Sequence, residues 1–185
     1  RMGGTTGGWR PAAAFLNEAS EDELGRVLRE YAEERRWRRL AREVARLRSE
    51  RPLKVSDDLV EAMERAWGRE PPPRDKARVF QAIRIAVNRE LEALEEGLPR
   101  IRDLLAPRGR IVVISYHSLE DRIVKHACRE WSRSCVCPPG FPVCRCRGEP
   151  LGRTLTRSPV TPSAAEVERN PRARSAKLRA WEKAA

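Results

Sequence analysis

Three clusters of side chains in this 185-residue sequence are of types that do chemistry. The first lies in residues 110–125, RIVVISYHSLEDRIVK. Ile111, Val112, Val113 and Ile114 form an unbroken β-branched run, which suits a strand covered on both faces. Ser118, with Asp121 three residues on, is an N-cap signal for a following helix. In an open α/β sheet, ligands bind just outside the carboxyl ends of the strands, and Tyr116, His117 and Ser118 fall there. The plainer alternative is that Ser118 only caps a helix and His117 is an ordinary loop residue.

The second cluster is cysteine. Cys135-Val-Cys137 and Cys144-Arg-Cys146 frame a short loop containing Pro138, Pro139, Gly140 and Pro142. Four thiolates can hold zinc tetrahedrally, although the pairs are spaced C-x-C rather than C-x2-C. Reduced thiols and disulfides are the other readings. The opening RMGGTTGGWR has no apolar leader segment, so the expected location is cytoplasmic, where disulfides are least favoured. Cys128 reads as a core residue and His126 as a spare ligand.

The third cluster is NPRARSAKLR, residues 170–179. Arg172, Arg174, Lys177 and Arg179 are dense enough to cradle phosphates, and Asn170 and Ser175 can add hydrogen bonds. A solvated basic tail is the plain alternative. The net charge of +11 is uneven: from residue 122 onward there are 14 Lys and Arg against 5 Asp and Glu, and the rest is nearly neutral. A localised basic excess points to a polyanion, nucleic acid above all. No run approaches the ~20 apolar residues of a membrane span, and no basic amphipathic helix with an aromatic face argues for a membrane surface.

These clusters need elements to position them. Ser20 to Glu23, S-E-D-E, is a capping box that opens a long helix reaching about residue 48. Leu24, Val27, Leu28, Tyr31, Leu40, Val44 and Leu47 recur at helical spacing. Between them Glu33, Glu34, Arg35, Arg36, Arg38 and Arg39 read as a solvated face with i,i+4 pairs, with RNA contact as the alternative. Ser56 caps a second helix running to Trp67, and Gly68 ends it. REPPPR, residues 69–74, reads as a linker between a helical subdomain, 1–70, and an α/β part, 71–185, that carries a Cys-rich loop at 128–150. A third helix covers 76–96, with Phe80, Ile83, Val87, Leu91 and Leu94 on its core side. A short helix at 98–105 and a turn at Pro107 and Gly109 lead into the strand. Helix, strand, helix is half of a doubly wound unit and requires parallel partner strands. Only 151–156 offers another candidate, and one or two strands cannot bury their own faces. The chain also opens without Met in a glycine-rich stretch. Both features lead to the expectation that an N-terminal half is missing.

FQAIRIAVNREL (residues 80–91), RIVVISYHSLEDRIVK and NPRARSAKLR, in that order, resemble the MraW (RsmH) family. So do the opening Arg1-Met2 and the segment YAEER at residues 31–35. The resemblance implies S-adenosylmethionine-dependent methylation of the N4 amino group of a cytidine in small-subunit ribosomal RNA. The implied fold is α/β: the C-terminal part of a Rossmann-like class I methyltransferase sheet with a helical insertion that recognises substrate. The family's methyl-donor half has no counterpart in these residues, so the implied cofactor site lies mostly outside this chain, and the fragment alone is expected to be inactive. His117, Ser118 and Asp121 would then stand on the cytidine side, with Asn170, Arg172, Arg174, Ser175 and Lys177 at flanking phosphates. No residue is assigned as general base. Where the family usually has His-Pro-Ala, this chain has Arg74-Asp-Lys76. The Cys-rich loop, Cys135, Cys137, Cys144 and Cys146, resembles one found in part of the family. A non-enzymatic RNA-binding or ribosome-assembly module with a zinc knuckle is the competing reading.

Overall fold

The computed structural model describes residues 11–135, 137, 143 and 148–185. The chain divides into two compact units, residues 1–90 and 91–185.

The first unit is helical among its described residues: α1 (Ala12–Glu18), α2 (Glu21–Glu30), α3 (Trp37–Glu50), α4 (Ser56–Trp67) and α5 (Pro73–Asn88). Ser20 caps α2 by accepting from the Glu23 amide at 3.1 Å, as the S-E-D-E pattern predicts. Leu24, Val27, Leu28, Leu40, Val44, Leu47, Met63, Val79 and Ile83 are buried together, each full burial stabilising by about 1.5–3 kcal/mol. Gly68, at φ 71°, ends α4 in the left-handed conformation as expected, although Val55 rather than Ser56 is its N-cap residue.

The structure corrects three expectations in this unit. The long helix from residue 20 to 48 is two helices, because the chain turns at residues 31–36 with Glu33 at φ 49°. That turn carries Glu34 inward, where its carboxylate accepts from Arg78 Nη2 at 2.9 Å and from the Arg36 amide at 2.9 Å. Gly25 permits the tight return, since a Cβ there would lie 2.8 Å from the Trp37 ring. The helix expected over 76–96 breaks at Arg89, φ 51°. Finally, the Pro-rich stretch 69–74 lies inside the first unit, which reaches past residue 70 because Val79, Ala82, Ile83 and Val87 of α5 belong to its core.

The second unit contains α6 (Glu90–Leu104, beginning at the division), β1 (Arg110–Ser115), α7 (Ser118–Trp131), β2 (Gly152–Thr154), α8 (Ala164–Arg169), a 3-10 turn (Pro171–Ser175) and β3 (Lys177–Lys183). Its described strands form one sheet in the order β1–β3–β2, antiparallel throughout. The parallel partners that the element order calls for are not among the described strands; β1 pairs instead with β3, a strand hidden in sequence by its charge. Ile111 pairs with Trp181, Val113 with Arg179 and Ser115 with Lys177. Alternate residues share a face, so these six point to α7, where Ile111, Val124, Cys128, Trp131 and Trp181 form the core. Trp131 and Trp181 meet edge to face, centroids 5.2 Å apart, the arrangement aromatic quadrupoles favour. Among the described residues of this chain, β1 is covered on one face only: Val112 and Ile114, on the other face, are 58% and 53% exposed.

Candidate functional site

The antiparallel register decides which sequence motifs meet. β1 runs into the His-Ser turn, and β3 runs out of the NPRARS segment, so pairing Ser115 with Lys177 brings both motifs to one end of the sheet. Ser115 Oγ donates to the Lys177 carbonyl at 3.3 Å across this junction. Residues 62 apart in sequence thus share one address, the carboxyl end of β1.

At the turn, the N-cap of α7 is His117, not Ser118. His117 Nδ1 accepts from the Glu120 amide at 3.3 Å. An accepting Nδ1 places the proton of a neutral imidazole on Nε2, which lies 3.1 Å from Glu120 Oε1. The other Glu120 oxygen accepts from the amides of Tyr116 (3.0 Å) and His117 (3.3 Å). This reciprocal arrangement satisfies amides that a helix start leaves without partners. It also fills with a side-chain carboxylate the place where an anionic ligand would otherwise sit. Glu120 is therefore a site residue that sequence reasoning missed; an acid three residues past the cap was the signal available. Ser118 stands at the first helical position and is exposed.

Asp121, one turn into α7, faces the sheet and is 8% exposed. Arg179 grips it with two bonds, Nε to Oδ1 at 2.7 Å and Nη2 to Oδ2 at 3.2 Å. Lys177 Nζ stands 3.7 Å from Oδ2. The Arg179 hydrogen bonds hold the Asp121 carboxyl below its ordinary range against the opposing effect of burial. Arg179, grouped with the phosphate-cradling residues in the sequence, is 7% exposed and committed to Asp121. Its place on β3 opposite Val113 turns it into the core rather than to solvent. Arg172, Arg174 and Ser175 are exposed. The Asn170 side chain accepts from the Arg172 amide at 3.3 Å and starts the 3-10 turn that presents them. Lys177 remains 38% exposed beside the buried pair. The structure thus gathers His117, Ser118, Asp121 and Lys177 at one sheet end, with Arg172, Arg174 and Ser175 on the segment leading into it.

The zinc reading falls partly on Cys144 and Cys146, which lie outside the described residues; Cys135 is exposed and Cys137 half-buried. Among the described residues, no three His, Cys, Asp or Glu side chains converge as a metal site. Cys128 is a core residue as expected, and burial pushes its thiol up. No described helix is long and apolar enough to cross a membrane.

Known proteins share this sequence over nearly its whole length. Ribosomal RNA small subunit methyltransferase H of Gemmatimonas aurantiaca is 53% identical over 173 residues, 94% of this chain and 55% of that protein. The methyltransferase H proteins of Pelobacter propionicus and Heliobacterium modesticaldum are 50% and 49% identical, covering 99% and 93% of this chain but 59% and 56% of their own lengths. The chain therefore spans little more than half the length of these relatives. The model of the MraW methylase family matches residues 1–184; with its mixed α/β fold and small antiparallel sheet, the chain belongs to that family.

Proposed function

We propose that this chain is the acceptor-side part of a methyltransferase that uses S-adenosylmethionine to methylate the N4 amino group of a cytidine in small-subunit ribosomal RNA. The match along nearly the whole chain to the MraW methylase family carries this reading, and the convergence of the His-Ser turn and the NPRARS segment supports it. On this reading the three-stranded sheet is one edge of a Rossmann-like sheet, and the helical unit recognises substrate. The cellular site of such a reaction is the cytoplasm, and its partner is the small ribosomal subunit.

On this reading the methyl-donor site lies mostly outside this chain. The turn after β1 is Tyr116-His117 rather than a glycine-rich loop, and its amides are already bonded to Glu120. What this chain supplies is positioning. An exocyclic amine must be held in line with the donor methyl, and a cytosine must leave its stack to reach a pocket. Ser118 and the His117 ring line the acceptor side at the strand end. Arg172, Arg174 and Lys177 hold flanking phosphates, with Ser175 and Asn170 adding hydrogen bonds. Asp121 sets the start of α7 through Arg179.

The reading is tested by mass spectrometry of small-subunit ribosomal RNA after deletion of the gene. Loss of N4-methylcytidine is expected, and an unchanged nucleoside profile overturns the reading. The 185-residue chain by itself is expected to bind this RNA without methylating it. Micromolar binding of labelled S-adenosylmethionine by the chain alone would contradict the acceptor-side assignment.

A further inference from the structure

Helix α3 breaks a rule that its neighbours obey. The amino end of a helix carries partial positive charge, so acids stabilise it and bases oppose it, each by about 0.3–1 kcal/mol. α2 begins with Glu21, Asp22 and Glu23, and α4 has Asp57 and Asp58 in its first turn. α3 has no acid in its first turn and no side-chain cap. It is preceded by Arg35 and Arg36 and carries Arg38 and Arg39 in that turn. Local unfavourable choices of this kind cluster at functional surfaces.

The arginines also line up. At roughly 100° per residue, Arg38, Arg39, Arg42 and Arg46 fall within an arc of about 100° and extend about 12 Å along the helix. All four are exposed, as is Arg35. The i,i+4 pairs expected for this charge run do not form, because Glu34 has turned inward to Arg78. Arg46 reaches Glu50 at 3.5 Å, and Arg39 donates to the Arg65 carbonyl at 3.3 Å. Arg38 stacks on the Trp37 ring, its guanidinium 4.2 Å from the centroid. A stacked guanidinium is ordered in advance and keeps its N–H edge for a ligand. The opposite side of α3 (Leu40, Ala41, Val44 and Leu47) is buried in the core. No apolar face is left beside the stripe to enter a lipid surface.

We propose that the arginine stripe of α3 is a docking surface for the phosphodiester backbone of RNA. The identity of the polyanion rests on the ribosomal RNA reading; the surface itself rests on the stripe. The contacts are to backbone, so they position the RNA without reading its bases.

The test uses the 185-residue chain and transcribed small-subunit ribosomal RNA, with affinity measured across a salt series. The triple variant Arg38→Gln, Arg39→Gln, Arg42→Gln is compared with Lys54→Gln, Arg69→Gln, Arg74→Gln, three exposed bases elsewhere on the same unit. Losing three backbone contacts flattens the slope of log affinity against log salt by about 2 and weakens binding roughly fifty- to a hundredfold at ~0.15 M salt. The control triple leaves the slope close to native. The stripe variant keeps or raises the melting temperature, because it removes charge that opposes the helix dipole. The Lys triple at the same three positions retains most of the affinity. Equal slopes for the stripe and control variants overturn the proposal, as does stripe-dependent binding to phosphatidylglycerol vesicles as tight as to RNA. Stripe-dependent RNA binding together with unchanged cytidine methylation on gene deletion would sink the catalytic reading and leave this surface standing.

Discussion

In the helical unit most ion pairs lie at or near the surface (Arg65 with Glu50 and Glu61, Arg84 with Glu90, Arg26 with Glu30), and the two buried carboxylates, Glu34 and Asp58, pair with arginines that stay partly exposed, Arg78 and Arg51. Exposed pairs of this kind contribute about 0–1 kcal/mol each. The sheet unit instead buries one pair, Asp121 with Arg179, joining residues 58 apart in sequence. The helices pack mainly against near neighbours in the chain, α2 on α3 and α3 on α4, whereas the sheet pairs residue 110 with 182. One unit is held mostly by packing between near neighbours, with the Glu34–Arg78 pair as a longer tie; the other depends on a few long-range contacts. Damage should therefore spread differently in the two.

The largest expected effect is on the buried pair. Arg179→Met removes both hydrogen bonds to Asp121 and leaves only the half-exposed Lys177 ammonium, 3.7 Å away, to balance its charge, at a cost of about 3–5 kcal/mol. Hydrogen exchange should show β1, β3 and α7 losing protection while α2 and α3 keep theirs; equal loss in both units would erase the contrast. Gly152→Ala comes next. Its Cβ would lie 2.1 Å from the Glu182 carbonyl and 2.4 Å from the Trp181 ring, and such overpacking costs about 1–3 kcal/mol. A urea midpoint unchanged from native would show that β2 is dispensable.

Acid sharpens the contrast further. Asp58 accepts from the amides of Val55 and Lys54 and from Arg51, and these bonds lower its pKa from 3.8 to about 2. A pKa lowered by folding gives stability that is complete above the unfolded value and is lost as pH falls through the folded one. The helical unit should therefore weaken progressively from about pH 4 to pH 2, and Asp58→Asn should flatten that dependence. The same acid dependence in the Asn variant would show that other carboxylates control the acid limb. The smallest effect is Ser20→Ala, which removes the cap of α2 and costs about 1 kcal/mol; a thermal melt should register it in the helical unit alone.

The helical unit is also the more legible in sequence, and for the same reason. Its signals are local: Ser20 with Glu23, the Leu24–Val27–Leu28 spacing, Gly68 after Trp67. What fails there is also a matter of position along the chain, since residues 31–36 (YAEERR) contain no Gly or Pro to mark the turn that Glu33 makes. In the sheet unit, the β-branched run of β1 announces a strand, and Ser163, which caps α8 by accepting from the Glu166 amide at 3.2 Å, announces that helix. β3 announces nothing: Lys177, Arg179, Glu182 and Lys183 alternate with Leu178, Ala180 and Trp181, and only pairing with β1 shows why Arg179 can sit in the core. The place of the His117 turn after a strand is readable, but Ser118 looks like the cap because serine fills that role more often than histidine. His117 does so through its ring nitrogen, a contact that spacing alone cannot distinguish.

The strand order has a consequence for synthesis on the ribosome. β3 lies in the middle of the sheet yet is made after both strands it joins. Among the described strands, β1 and β2 have no ladder partner until residues 177–183 have left the exit tunnel, while the core of the helical unit is complete once residue 87 has emerged. Domains emerging first generally fold first. The helical half should thus be folded while the Val112 and Ile114 strand still waits for its partner, an interval in which a nascent chain depends on chaperones or on speed.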